Sequence, residues 1–298
     1  MSETAAVPVA SRATSSDKRS IEACAKIPVR RLRPSASMPD SLSIAIVALN
    51  EEANIGQVLQ SVSWANEIIL VDSGSSDRTC DIAREYGALV TLEPWRGYTA
   101  QKNYALELCT SDWVLSLDAD EEVSPELAAE IREVLAGSGT LDGYFMPRKN
   151  LFMGRWMRHG GFYPDPKLRL FRRAMAYSTG RDPHDRFEMK DGQPVGHLRG
   201  ALIHRTYPTL TAYLEHMNRY SSVWNRVPGA KARDFSLNAI VLRPLATFIY
   251  NYFFRLGFLD GREGLLLHMY HAGYVSWKYA KAWEMGGNRP GEPNQLKH

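Results

Sequence analysis

"WVLSLDADEEVSPEL", Trp113 to Leu127, decides the fold. An apolar run closes on Asp118, and four carboxylates (Asp118, Asp120, Glu121 and Glu122) fall within five positions. The run is short and continuous, as expected of a strand covered on both faces in a parallel sheet. Ser124 has the chemistry of a helix N-cap and Pro125 suits the first helical position, so "ELAAEIREVL" is predicted to be helical. Like charges at the end of a buried strand repel, and removing them from water costs more still. Either the acids are solvated or positive charge sits among them. Glu121 and Glu122 suit a solvated loop, where acids favour the N-terminal dipole of the next helix. Asp118 does not, because it closes the strand.

The same punctuation recurs upstream. "LSIAIVAL" from Leu42, "EIILVD" from Glu67 and the shorter "ALVTLE" from Ala88 read as strands. Helices are predicted from the Asn50–Ile55 turn through Val62, after a cap at Ser76 or Asp77, and over Thr99–Cys109. Strands alternating with helices imply a parallel sheet with right-handed crossovers, whose ligands bind beyond the carboxyl ends of the strands. Asn50, Asp72 and Asp118 each fall at that end. An Asp-x-Asp there suits Mg2+ or Mn2+, hard cations that take oxygen ligands.

After Gly143 the pattern changes. "YFMPRKNLFMGRW", "PKLRLFRR" and "ALIHR" look like strands, and Leu210, Tyr213, Met217, Tyr220 and Trp224 form a helical stripe. "IVLRPLATFIYNYFF" is apolar but broken by Arg243, Pro244 and Asn251, so an amphipathic segment lying in a membrane interface is expected rather than a span. Tyr270, Tyr274, Trp277 and Lys281 share a helical face that either extends this peripheral platform or packs on the rest of the protein. The expected division is a disordered tail over 1–40, an α/β domain over 41–205, a helical extension over 206–285 and a flexible tail over 286–298.

The 298 residues carry a net charge of +3, with acids gathered around Asp118–Glu133 and cations between Arg155 and Arg173. That segregation excludes a uniformly basic nucleic-acid binder. Three cysteines, Cys24, Cys80 and Cys109, make no CxxC pair and point to a reducing compartment, and the first forty residues lack the apolar core of a signal peptide. A cytoplasmic protein, peripheral at the inner face of the plasma membrane, is expected.

"VALNEEANI", "EIILVDSGSSDRT", "QKNYAL" and "WVLSLDADEEV", in that order, resemble the nucleotide-sugar-binding half of family 2 inverting glycosyltransferases. "FYPDPKLRLFRR", "PHDRF" and "ALIHRTYPTLTAYL" are similar to the bacterial lipopolysaccharide core β-glucosyltransferase branch. The resemblance covers roughly Leu42 to Trp283. It implies a GT-A, Rossmann-like mixed but mostly parallel sheet flanked by helices, a UDP-sugar donor (UDP-glucose within the branch) and a lipid-linked or lipopolysaccharide-core saccharide acceptor. It also implies that Asp118 and Asp120 hold the metal, with Asp120 the favoured direct ligand and Asp118 reaching ribose or metal. Asn50 and Glu51 would line the nucleoside pocket, Asp72 would accept from the base, and Lys102 would contact the nucleotide.

Inversion needs a general base for the acceptor hydroxyl. By resemblance this is Asp185 in "GRDPHDRF", with His184 second; the branch commonly has Glu at the Asp185 position, while the wider family ends the motif in Asp. A loop ion pair of Asp185 with Arg181 or Arg186 is the structural alternative. His204 is read as a buried, hydrogen-bonded histidine rather than a ligand. Arg169 and Arg172 either face a phosphorylated acceptor or belong to a solvated strand. A phosphatase or nucleotidyltransferase also places Asp-x-Asp after a strand, although Glu122 fits the phosphatase pattern poorly. A dinucleotide oxidoreductase is disfavoured because "VDSGSSDRT" lacks the glycine fingerprint. A glycan- or membrane-binding protein without catalysis stays open.

Overall fold

The computed structural model describes residues 39–181, 184–226 and 236–287; the tail expected up to residue 38, Cys24, and the tail beyond residue 287 lie outside the described residues. The chain runs β1 (Leu42–Ala48), α1 (Ile55–Ser61), β2 (Glu67–Asp72), α2 (Thr79–Glu85), β3 (Leu89–Leu92), α3 (Tyr98–Leu108), β4 (Trp113–Asp118), β5 (Glu121–Val123) and α4 (Pro125–Glu133). It continues through β6 (Gly143–Met146), β7 (Arg148–Phe152), β8 (Arg155–Trp156), β9 (Lys167–Arg172), β10 (Ala176–Arg181), β11 (His184–Met189), β12 (Gly196–His197) and β13 (Leu202–Tyr207). Helices α5 (Leu210–Arg226), α6 (Arg243–Ile249) and α7 (Gly261–Gly287) follow.

The apolar runs assemble a seven-stranded sheet of order β12-β6-β9-β4-β1-β2-β3. The β4-β1-β2-β3 block is parallel, and β9 runs antiparallel between β4 and β6. Both faces are covered, which is why the strands read as continuous apolar runs. Ile44, Ile46, Leu70, Leu115 and Leu117 pack with Ile55, Leu59, Leu127 and Ile131 on one side. Ala45, Ile69, Val71 and Val114 pack with Ala105 and Phe171 on the other. Register sets Asp72 beside Ala48 and Asp118 beside Val47, so both acids leave the sheet at one rim, flanking β1.

Two smaller units complete that rim. A four-stranded sheet, β5-β13-β7-β8, aligns His204 with Glu121 on one side and Asn150 on the other. The β10–β11 hairpin is fixed on α3, where the Asn103 side chain donates to the Ser178 carbonyl (3.0 Å) and accepts from its N–H (2.7 Å). This carries Asp185, paired with Gly180 in the hairpin, onto the α3 residues below.

Helix α1 starts later than the sequence pattern implies. Asn50 takes a left-handed φ of 56°, its N–H donates to Ser75 Oγ (2.8 Å), and its Oδ1 accepts from Ser76 N (2.8 Å). The β1–α1 loop is thereby laced to the β2–α2 loop instead of winding into helix.

The aromatic stripe on α7 is not a membrane face. Tyr270, Tyr274 and Trp277 pack on a third cluster formed by Phe152, Met157, Tyr213, Met217 and Leu267. The Lys281 ammonium donates into α5, to Asn218 O and Oδ1 and to the hydroxyls of Ser221 and Ser222. The "IVLRPLATFIYNYFF" segment keeps its apolar side chains outward: Val241, Leu245, Phe253 and Phe254 are all exposed, Phe254 at 75%. Among the described residues no helix is long and apolar enough to cross a membrane.

Ser124 Oγ accepts the Leu127 N–H (3.2 Å) with Pro125 in the first turn, as the sequence predicts. Ser124→Ala is expected to cost about 1 kcal/mol, read as a lowered urea midpoint with an unchanged slope.

Candidate active site

The acids at the end of β4 are paired: Asp118, Glu121 and Glu122 each meet a lysine or arginine, and Asp120 meets His204. Lys102, on α3 and 6% exposed, places Nζ 2.7 Å from Asp118 Oδ1 and 2.8 Å from Asp185 Oδ2. Arg169, on β9, hydrogen-bonds Asp118 Oδ2 and Glu121 Oε1 through Nη2. Arg148, on β7, pairs with Glu121 (3.0 Å) and Asp165 (2.7 Å), and Lys167 closes on Asp165 (2.9 Å). The result is one chain of alternating sign: Asp185–Lys102–Asp118–Arg169–Glu121–Arg148–Asp165–Lys167.

Burial alone would protonate these acids, and the cations reverse that. Burial opposes the Asp118 charge, yet Arg169 and Lys102 hold its carboxyl well below the usual carboxylate range. Burial likewise opposes the Lys102 charge, but Asp118 and Asp185 outweigh it and raise the ammonium above its ordinary value. Asp165 is drawn down to about 2, with burial opposing and Arg148 and Lys167 prevailing.

Several sequence expectations change here. Glu121 is fully buried and accepts from the Asp118 N–H (3.1 Å), so it is an internal counter-ion and not a solvated loop acid. Arg169 is 5% exposed and committed to two carboxylates, so it faces no acceptor. Arg172 lies at the other end of the antiparallel β9, beside Trp113, where it pairs with Asp40 (3.1 Å) and Asp142 (3.2 Å). Lys102 spends two of its three N–H donors on Asp118 and Asp185. Each Asp118 oxygen meets one cation, Lys102 on Oδ1 and Arg169 on Oδ2.

Asp185 is paired with Lys102 and not with Arg186, whose own partner is Glu188 (2.6 Å). The side chains of Arg181 and His184 lie outside the described residues. Asp72 is bound within its own turn. It is fully buried, its Oδ1 accepts from the N–H groups of Gly74 (2.9 Å) and Ser75 (2.8 Å), and its Oδ2 accepts from Ser75 Oγ. Asp72 therefore shapes the turn.

Asn50 and Glu51 do stand at the rim. Glu51 accepts from Asn54 Nδ2 (2.9 Å), and burial, only partly offset by that bond, raises its carboxyl above the ordinary value. Glu51 N–H donates to Thr79 Oγ1 (2.8 Å), and Asp77 caps α2 through Thr79 N (3.0 Å).

Asp120 stands apart from the ion-pair chain. Its Oδ2 is 3.2 Å from His204 Nε2, and His204, against the pull of burial, holds the carboxyl below its ordinary value. His204 Nδ1 is 2.6 Å from Asn150 Oδ1, and Asn150 Nδ2 donates to Phe162 O (2.8 Å) and Asp165 Oδ2 (3.3 Å). Sequence reasoning left His204 out and missed Arg148, Asp165 and Asn150. The pairing of β13 with β5 and β7 brings them together, and no local spacing signals it. Helix α5 adds His216, stacked on Tyr220 at 4.1 Å and edge-on to Tyr207 at 5.3 Å; burial pushes the His216 imidazole down to about 4.

An oxygen and an imidazole nitrogen side by side fit a hard divalent cation that completes its shell from phosphate oxygens and water. The site thus combines a carboxylate–imidazole corner, two laced loops of N–H and hydroxyl groups, and an aspartate on a neighbouring hairpin paired with Lys102.

Residues 43–191 match the family described as glycosyl transferase family 2. The lipopolysaccharide core biosynthesis glycosyltransferase LpsC of Rhizobium meliloti is 30% identical over 268 residues, spanning 86% of this chain and 98% of that protein. An uncharacterised glycosyltransferase of Rickettsia typhi is 33% identical over 236 residues, 76% of this chain and 80% of its own length. Among solved structures, the mannosyltransferase PcManGT of Pyrobaculum calidifontis, in complex with GDP-Man and Mn2+, is 15% identical with a TM-score of 0.48, covering 85% of this chain and 90% of that one. The family match removes the phosphatase and nucleotidyltransferase alternatives.

Asp165 supplies a pH test. Its folded value of about 2 lies below the unfolded carboxylate value of about 3.9. Its stabilisation is therefore complete above the unfolded value and is lost as pH falls through the folded one. Asp165→Asn should be less stable than wild type at pH 6, and the gap should close between pH 4 and 2 in urea titrations.

Proposed function

The chain belongs to glycosyl transferase family 2 and is a glycosyltransferase, and on that footing we propose that it transfers glucose, with inversion, from UDP-glucose to a hydroxyl of a lipid-linked saccharide of the lipopolysaccharide core. The observation that carries the reading is the single ion-pair chain linking Asp185 to Asp118 beside Asp120 and His204. It sets an acceptor-side base and a donor-side acid corner at a fixed separation, held by Lys102.

Asp185 is the proposed base. As the acceptor oxygen attacks the anomeric carbon, its proton passes to the Asp185 carboxylate and the bond from that carbon to the diphosphate oxygen breaks. Lys102, 2.8 Å from Asp185 Oδ2, holds the carboxylate in place for that transfer. Asp120 and His204 are the proposed ligands of Mg2+ or Mn2+, which when bound would stabilise charge on the departing diphosphate. Asn50 and Glu51 are the proposed nucleoside-side contacts, with Asp118 fixed by Lys102 and Arg169 at the ribose end. The domain limits, 41–205 for the transferase fold and 206–285 for the helical extension, are part of the same proposal.

The outward apolar side chains of the α6 region suit a shallow interfacial seat, and Arg243, Arg255 and Arg262 on the same segment favour an anionic leaflet. A peripheral position at the inner membrane face would bring the site to a lipid-anchored acceptor.

Three experiments test this. In calorimetry, UDP should bind in the presence of Mn2+ more tightly than GDP, and Asp120→Ala should weaken it at least about tenfold, as expected for loss of a metal ligand or its partner. Asp185→Asn should keep UDP binding and lower kcat with UDP-glucose and lipopolysaccharide-core acceptor by about 10²–10⁴. UDP binding with no transfer to any core acceptor would support a binding-only protein. In flotation with vesicles containing anionic phospholipid, the wild type should float and Phe253→Ser/Phe254→Ser should remain largely in the soluble fraction. Equal flotation of the two would remove the platform.

A further inference from the structure

A cavity of about 350 Å3 opens between the four-stranded sheet and the C-terminal helices, within the size range of small-molecule sites. Arg148, Asn150, Asp165 and His204 form part of its wall, and they are the same residues that end the ion-pair chain and hold the Asp120 corner. Phe162 and Tyr207 add aromatic faces, and Asn251 and Arg255 come from the segment that follows α6. Flat apolar faces beside amide, hydroxyl and charged groups suit a sugar ring, which has C–H faces and an equatorial rim of hydroxyls.

The two arginines of that wall differ. Arg148 is committed to Glu121 and Asp165. Arg255 is exposed, its guanidinium lies 5.5 Å from the Tyr250 ring centroid, and among the described residues it is in no ion pair. It is nonetheless held in place. Gly160 N–H donates to the Arg255 carbonyl (2.9 Å), and Gly161, at φ +88°, leaves the space that Arg255 fills: a Cβ there would stand 2.1 Å from its Nη1. A positioned guanidinium without a carboxylate partner is suited to bidentate capture of a carboxylate or phosphate. Arg255 also borders the outward Tyr250, Phe254 and Leu256, so the cavity lies between the Asp120–His204 corner and the apolar belt.

We propose that this cavity is an acceptor subsite for an acidic saccharide, in which Arg255 grips a carboxylate or phosphate on a sugar next to the one that receives the transferred residue. The inference rests on the glycosyl-transfer reading above and adds the acceptor's chemical class. The nucleotide rim, at the ends of β1, β2 and β4, is a different wall of the site.

The test uses the full chain and three probes: methyl glucuronide, its neutral methyl ester, and methyl glucoside 6-phosphate. Each is titrated by ligand-observed NMR with and without UDP against wild type, Arg255→Ala and Arg255→Lys. Wild type should bind at least one anionic probe at least tenfold more tightly than the ester, and the preferred anion identifies the acid group. Arg255→Ala should abolish that preference while UDP affinity is unchanged, and Arg255→Lys should retain part of it. Equal binding of all three probes, no binding of any, or an intact preference in Arg255→Ala would overturn the subsite. Failure of wild type to bind UDP would count against the donor reading instead, and the titrations without UDP keep the two results apart.

Discussion

The constraint on which the site depends is charge balance at the end of β4. Asp118 and Glu121 are carried to the rim of a doubly covered sheet, and Lys102, Arg148 and Arg169 converge on them there. These partners come from α3, β7 and β9, so the ion-pair chain forms only when the sheet, the small sheet and the hairpin are all in register. Breaking such a buried pair on one side leaves an uncompensated charge and is far more damaging than its net contribution suggests. The arrangement fixes where Asp185 stands relative to Asp118. Asp120 lies beside this chain, with Oδ2 3.2 Å from His204 Nε2.

The parallel half of the fold was legible because its strands are short continuous apolar runs separated by helix-length segments. Ser124 and Pro125 announce α4 from local chemistry alone. Asn50, Asp72 and Asp118 were correctly placed at one sheet edge, because strand direction and crossover handedness require it. What local pattern does not reveal is which lone pairs are already taken. Asp72 looks like a free acceptor in sequence, yet Gly74 and Ser75 occupy it. Glu121 looks like a dipole-complementing surface acid, and only the arrival of Arg148 and Arg169 from much later in the chain explains its burial. Lys102 appears to be an exposed helix-start lysine until the β10–β11 hairpin covers it.

The same limit applies to the C-terminal helices. Two aromatic segments of similar composition have opposite fates. Tyr270, Tyr274 and Trp277 meet α5 and the β7 region and become core, whereas Phe253 and Phe254 touch rings of their own segment and face outward. Helical spacing identifies a stripe, but a packing partner decides whether the stripe is buried. His204 belongs to this class too, since its neighbours Asp120 and Asn150 lie on strands that pair with β13 from both sides.

The most direct test of the account is a crystal structure of the protein soaked with UDP and Mn2+, with anomalous data collected at the manganese edge. The account predicts a manganese peak at Asp120 and His204, in contact with the UDP diphosphate, while Asp118 stays paired with Lys102 and Arg169. A peak on Asp118 with Lys102 displaced, or UDP bound away from the β1, β2 and β4 ends, would contradict it.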